Sequence, residues 1–132
     1  MMGRVAISGG AGFIGSHVTR QFLDAGYAVN ILDNFRTGRH EFLPVSDHLT
    51  VYDADITTSD LIPAVDHCQI VVHLAANAEG RRGFARPAYD IEQNVIGTSR
   101  VLEACRAIGI RTFFYASSGS VYGNTRIDTI PE

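Results

Sequence analysis

Residues 5–15 read VAISGGAGFIG: a short apolar run, then four glycines within seven residues, then resumed apolar character. Glycine loses more backbone freedom on folding than any other residue, so it is costly inside a regular element. Four of them directly behind a strand-like run mark a turn where side chains do not fit. A strand that passes through such a turn into a helix is the opening unit of an α/β fold.

The rest of the chain continues the alternation. Val5-Ala6-Ile7 reads as the first strand, and from Phe13 onward Ile14, Val18 and Phe22 fall four apart on one helical face, with Gly26 as the terminating glycine. YAVNILD (27–33) and LTVYDAD (49–55) read as the second and third strands. SDLIPAV (59–65) reads as a short helix with Ser59 at its N-cap. CQIVVHLAA (68–76), apolar on both sides as central parallel strands are, is the fourth strand. One long helix is expected from about Ala88 to Ile108, with Pro87 near its start, Gly109 beyond its end, and Ile91, Val95, Leu102 and Cys105 on one face. RTFFYAS (111–117) is the fifth strand. Strands alternating with helices predict a doubly wound parallel sheet in one domain, without repeats or linkers.

The glycines also suggest a purpose. A tight turn, a close backbone approach to phosphates and close helix–strand packing each exclude a side chain, and the helix N-terminus offers unpaired N–H groups to an anion. Gly9, Gly12 and Gly15 fit G-x-x-G-x-x-G, while Gly10, Gly12 and Gly15 fit G-x-G-x-x-G. Glycine clusters also make plain loops, so a second element matters. Asp33 ends the second strand, at the separation expected of a carboxylate that accepts hydrogen bonds from an adenosine ribose. Asp-Asn pairs also start turns. Together the two features point to dinucleotide binding. A carboxylate there repels a 2′-phosphate and favours NAD over NADP, whereas Arg36 close by would pair with such a phosphate.

Composition narrows the alternatives. With 132 residues, 45% hydrophobic and 19% charged, the chain suits one folded domain. A net charge of −3 offers no basic footprint, so neither nucleic acid nor an anionic membrane is expected as a partner. No apolar run approaches membrane-spanning length, and no targeting segment is seen, so a cytoplasmic setting is expected. Cys68 and Cys105 have neither metal-like nor paired spacing and read as free buried thiols; no metal site is expected. All eleven basic residues are arginine, and the chain contains no lysine.

Six blocks, SGGAGFIGSH, LDNFRTGR, DADI, VVHLAAN, NVIGTSRVLEAC and FFYASSGSVYG, occur in the order in which they resemble the extended short-chain dehydrogenase/reductases. Within these the chain is similar to the NAD-dependent epimerase/dehydratase branch, and nearest in pattern to UDP-glucose 4-epimerases. The resemblance implies a Rossmann fold with strand order 3-2-1-4-5, NAD as cofactor and a nucleotide sugar, a UDP-sugar above all, as substrate. It also implies roles for particular residues. Phe13 and Ile14 would present backbone N–H groups to the pyrophosphate, beside Gly9, Gly12 and Gly15. Asp33 and Asn34 would hold the adenosine ribose, with Arg36 near it, and Asp55 and Ile56 would contact adenine. Leu74, Ala75 and Ala76 would pass beneath the cofactor, and Asn94 would support the site from within its helix. Ser118 in SSGSVYG aligns with the catalytic Ser/Thr that bonds the sugar hydroxyl; Ser117 is the fallback if the register slips by one, and a plain loop serine is the alternative.

The chain departs from that pattern at one point. The family takes the proton from the sugar with a tyrosine whose pKa is lowered by a lysine four residues on. Here Tyr122 has Arg126 at that offset, in the wrong block, and a Tyr-x-x-x-Lys pair is missing. Residues 1–132 are therefore expected to be the incomplete NAD(P)-binding N-terminal portion of such an enzyme, truncated before its substrate-binding region, or a degenerate binding-only relative, inactive alone in either case. Gly119 and Ser120 stand where related dehydratases and decarboxylases carry carboxylates, which favours oxidation and re-reduction at one sugar carbon; a reductase or dehydratase remains the alternative. Arg81 and Arg82 either reach a substrate phosphate or are simply solvated. The fifth strand, with only Arg111 to blunt it, is expected to leave an edge open to self-association.

Overall fold

The computed structural model describes residues 2–77 and 85–123. Five parallel strands, β1 (Arg4–Ser8), β2 (Ala28–Asp33), β3 (Leu49–Asp53), β4 (Ile70–His73) and β5 (Thr112–Tyr115), form one sheet in the order β3-β2-β1-β4-β5. This is the doubly wound arrangement expected from the alternation of elements. All six residues of β2 and four of the five in β1 are buried, as strands flanked by partners and covered on both faces must be.

The two faces carry separate cores. Val5, Ile7, Val29, Ile31 and Val72 pack beneath α1 (Phe13–Asp24), which contributes Val18, Phe22 and Leu23. Ala6, Leu32 and Val71 point the other way, against Leu61, Ala64 and Val65 around the short α2 (Ile62–Val65) and against Val101, Ala104 and Cys105 of a later helix. Strand alternation thus assigns neighbouring residues of β1 to opposite cores. Asn30 is the polar member of β2's interior, and it is satisfied. Its Oδ1 accepts from Arg4 at 2.7 Å, and its Nδ2 donates to Ala64 O at 2.9 Å. Cys68 and Cys105 are free and buried, and burial pushes the Cys68 thiol up to about 11. Among the described residues no helix is long and apolar enough to cross a membrane.

Four local expectations need correction. Ile14 is 64% exposed, because α1 rests on the sheet through Gly15, Ser16 and Thr19 together with Val18 and Phe22. Ser59 does not cap α2: its Oγ accepts from Asp55 N–H at 2.9 Å, and Asp60 Oδ1 takes the Ile62 N–H instead. The strand ends also differ: β1 runs one residue beyond Val5–Ile7 on either side, whereas β2 to β5 are shorter than their apolar runs, β4 by two residues at its start and three at its end.

The fourth correction concerns the long helix. It divides into α3 (Pro87–Ile91), a π turn (Glu92–Ile96) and α4 (Gly97–Ile108), where Gly109 closes it with φ 82°. Ile91, Val95 and Leu102 face outward at 56%, 58% and 46% exposure, and of the expected stripe only Cys105 is buried. The core face is instead the small-residue row Gly97, Val101, Ala104 and Cys105. Gly97 suits this face: a Cβ there would stand 2.8 Å from Ile56 Cγ1, so the helix packs closely on the Ile56 side chain just beyond β3.

Candidate functional site

A cleft of about 350 Å³ opens at the C-terminal ends of the strands, where the strand order reverses between β1 and β4. In open α/β sheets that reversal is where ligands bind, because the connections leave in opposite directions and part there. The turn between β1 and α1 supplies Gly9, Gly12, Phe13, Ile14 and Gly15. Asp33, Asn34 and Thr37 come from the end of β2, Ala54 and Ile56 from beyond β3, and Leu74, Ala75 and Ala76 from beyond β4. Gln93 of the π turn and Ala116 beyond β5 complete the lining. A groove of similar size, about 330 Å³, runs between α2 and α4, but its cations are already engaged. Arg100 donates to Ile56 O and Ser59 O, and Arg106 pairs with Glu103.

Close packing shapes the glycine turn. Gly9 has φ 73°, a left-handed conformation open to few other residues, and a Cβ there would meet Ala75 N at 2.8 Å. At the head of α1 the first N–H groups have no carbonyl of their own helix to bond, and the helix dipole adds partial positive charge. The Phe13 and Ile14 residues that begin this helix line the cleft.

Asp33 is fixed between the glycine turn and the loop that follows β2. Ala11 N–H donates to Oδ2 at 3.0 Å and Phe35 N–H to Oδ1 at 2.9 Å, so the carboxylate starts the turn, and the same residue lines the cleft. Phe35 takes φ 53°, unusual for an aromatic residue. The Asp33 hydrogen bond and a stacked contact with His40 at 3.8 Å hold it there. The loop then returns to the turn, with Arg39 N–H donating to Ala11 O at 3.0 Å. Gly38 packs so closely that a Cβ would lie 2.8 Å from Asp33 Oδ1 and 2.9 Å from Ala11 Cβ.

The neighbouring Asp55 lies just behind the lining. Burial alone would raise its carboxyl, but hydrogen bonds from Thr57 and Asn34, aided by the Arg36 charge, outweigh that effect. The group is held below the ordinary carboxylate range. Asn34 Nδ2 reaches Asp55 Oδ2 at 2.9 Å, tying the ends of β2 and β3 together.

Below the cleft floor lies a network that sequence reasoning missed. His73 is 1% exposed, and burial lowers its pKa to about 4, so the ring is neutral near pH 7. Its Nε2 stands 2.9 Å from Thr98 Oγ1, whose own proton goes to Asn94 O at 2.8 Å. Thr98 therefore accepts from the ring, and Nε2 carries the proton. Nδ1 in turn accepts from Ser8 Oγ at 2.6 Å, and Ser8 Oγ accepts from Ala75 N–H at 3.4 Å. The donations run in one direction from the cleft floor to the π turn.

Asn94 belongs to the same support. Its Oδ1 accepts from Asn77 N–H at 2.7 Å, and its Nδ2 and that of Asn77 both donate to Asp90 Oδ1 at 2.9 Å. It braces the segment after β4, while its neighbour Gln93 reaches the lining.

Of the residues singled out in the sequence, eleven line the cleft: Gly9, Gly12, Phe13, Ile14, Gly15, Asp33, Asn34, Ile56, Leu74, Ala75 and Ala76. Asp55, Asn94, Arg36 and Ser118 stand outside it. Arg36 is exposed, with its guanidinium carbon 5.0 Å from the centre of the Tyr89 ring. Ser118 is exposed at the start of a 3-10 turn (Gly119–Tyr122), where its Oγ accepts from Ser120 N–H at 3.2 Å, a capping role. Arg81, Arg82 and Arg126 lie outside the described residues. Thr37, Ala54, Gln93 and Ala116 were missed. Only Gln93, one place before Asn94 in an otherwise regular pattern, offered a signal in the sequence.

The parallel sheet with its glycine turn, and a cleft at the reversal of strand order, define an α/β protein of the Rossmann type. The model of the NAD dependent epimerase/dehydratase family matches residues 5–132, and the chain belongs to that family. The UDP-glucose 4-epimerase of Mycolicibacterium smegmatis is 39% identical over 126 residues, covering 91% of this chain and 40% of that protein. The UDP-glucose 4-epimerase of Klebsiella pneumoniae is 34% identical over 129 residues, covering 92% of this chain and 93% of that sequence. The crystal structure of Thermus thermophilus UDP-glucose 4-epimerase in complex with NAD superimposes with a TM-score of 0.88 at 34% identity. It matches 98% of this chain and 42% of that one. The chain thus spans about two fifths of the length of most of the relatives it resembles.

Proposed function

We propose that residues 1–132 form the NAD-binding portion of a UDP-sugar 4-epimerase. The observation that carries this reading is Asp33, a carboxylate pinned at the rim of the cleft beside a glycine turn that leaves room for little but backbone and ligand. In this reading the N–H groups of Phe13 and Ile14 take the pyrophosphate, over Gly9, Gly12 and Gly15. The lone pairs left on Asp33 accept from the adenosine ribose hydroxyls, with Asn34 beside them. Ile56 packs on adenine, and Asp55, held ionised, orients Asn34. Leu74, Ala75 and Ala76 form the floor, supported by Asn94 through Asn77 and by the His73 chain beneath. NAD, when bound, would supply a reversible acceptor for hydride at the sugar carbon. Ser118 would bond the sugar hydroxyl after its turn reorients, and the substrate is a UDP-sugar. With no lysine in the chain, the residues present account for cofactor binding and not for proton removal.

Titration calorimetry tests the reading. The protein will bind NAD more tightly than NADP, and Asp33→Ala will weaken NAD about 10- to 100-fold, the loss expected of hydrogen bonds to a charged group. No measurable NAD binding by the unsubstituted chain, or equal affinity in the variant, would refute it.

The same reading includes self-association through β5. This strand is the sheet's edge, Phe114 and Tyr115 are each 57% exposed, and no further described strand pairs with it. Sedimentation velocity across a concentration series will show dimers or larger species. A monomer at high concentration with amides 112–116 protected from hydrogen exchange would mean that the edge is covered within the chain.

A further inference from the structure

The cleft contains a choice between two cofactors, and the structure assigns part of that choice to Tyr89, a residue outside the cleft. This inference rests on the dinucleotide reading above. Asp33 disfavours a phosphate on the 2′ side of the ribose, yet Arg36 lies only three residues on. Its backbone is anchored there by its N–H donating to Asn34 Oδ1 at 3.2 Å. Its charge already acts on Asp55 at the same end of the cleft. A free guanidinium in that place would attract a 2′-phosphate through charge-assisted hydrogen bonds and offset the repulsion from Asp33.

The side chain is not free. Its guanidinium carbon lies 5.0 Å from the centre of the Tyr89 ring on α3, within cation–π range. Arg86 lies 5.6 Å from the centre of the same ring. Both cations are therefore gathered on one aromatic side chain, and neither they nor Tyr89 belong to the cleft lining. We propose that Tyr89 is a specificity-determining residue that holds Arg36 away from the ribose and so maintains discrimination against NADP. Removing the ring returns Arg36 to the ribose side, where a 2′-phosphate offers it a partner and NAD does not.

The test is a set of titrations with NAD and NADP on the full chain, read as dissociation constants. Tyr89→Ala will tighten NADP about two- to five-fold, the range expected from losing one exposed cation–π contact, and leave NAD unchanged. Tyr89→Phe, which keeps the ring, will behave as the unsubstituted chain does. Adding Arg36→Ala to Tyr89→Ala will remove the gain. An unchanged NADP constant in Tyr89→Ala, or a gain that survives loss of Arg36, would overturn the assignment while leaving NAD binding intact. A chain that binds neither dinucleotide would overturn the underlying reading and this assignment together. A thermal melt of each variant checks that a lost response is not a lost fold.

Discussion

Gly15→Ala will destabilise the protein by about 1–3 kcal/mol, the usual cost of forcing a methyl group into a filled site. Helix propensity alone predicts the opposite, since alanine in a helix interior is favoured over glycine by about 1 kcal/mol. Packing overrides propensity because the obstacle is backbone. The new Cβ would fall on Gly9 O, 2.7 Å from Gly10 Cα and 2.9 Å from Gly10 C, and no rotamer change relieves that. Either α1 moves off the sheet or the turn changes shape, and both open the cleft. Gly12→Ala is the control. It sits in ordinary extended backbone, φ −74° and ψ 176°, and its Cβ would meet only Gly9 O at 3.2 Å, so its cost will be smaller. Urea midpoints of the two variants decide the matter. An unchanged midpoint for Gly15→Ala, or equal losses in both, would mean the helix yields without penalty.

Acid will weaken the protein through His73 before its carboxylates are protonated. The buried ring has a pKa of about 4, against 6.5 for an ordinary histidine, because burial penalises the imidazolium. Below pH 6.5 the unfolded chain binds a proton that the native state refuses. Stability is therefore fully present above pH 6.5, falls as the pH drops, and has lost this contribution by about pH 4. A difference of that size corresponds to about 3 kcal/mol. Unfolding free energies from urea titrations between pH 4 and 7 will show the slope, and His73→Gln will flatten it whatever that variant's absolute stability. A His73→Gln slope as steep as the original would place the titration elsewhere. Asp55, held low by Thr57 and Asn34 against its burial, adds a loss of the same sign at lower pH.

The features legible in the sequence are those carried by local pattern. Val5 to Ile7 before the glycines, the continuous apolar run around Val71 and Val72, and Gly26 and Gly109 each announce an element or its end within a few residues. The sheet order followed from a family resemblance and is the one observed. Spacing failed where a tertiary neighbour made the choice. Ile91, Val95 and Leu102 make a plausible inward stripe, but the face that packs is the one carrying Gly97, Val101 and Ala104, with Gly97 close against Ile56. Ser59 looks like a cap, yet its hydroxyl oxygen accepts from Asp55 N–H. His73 reads as one polar residue in an apolar strand. Its partners Ser8 and Thr98 are 65 and 25 residues away, and no local rule connects them. Within the site, Asp33 and the glycines were legible because each has a demanding geometry of its own. Thr37, Ala54 and Ala116 contribute little beyond their position on the lining, which their residue types do not reveal.

The polarity of the His73 chain limits what it can do. Its first member is a peptide N–H at Ala75, which cannot accept, and its last is a peptide carbonyl at Asn94, which cannot donate. The reversed set of donations has no valid end at either side. The imidazole is thus confined to a single tautomer, and the chain cannot pass a proton in at one end and out at the other. A histidine directly beneath a candidate redox pocket invites the idea of a proton wire, and here the wire is closed at both ends. A proton exchanged in the cleft above therefore does not travel through this chain.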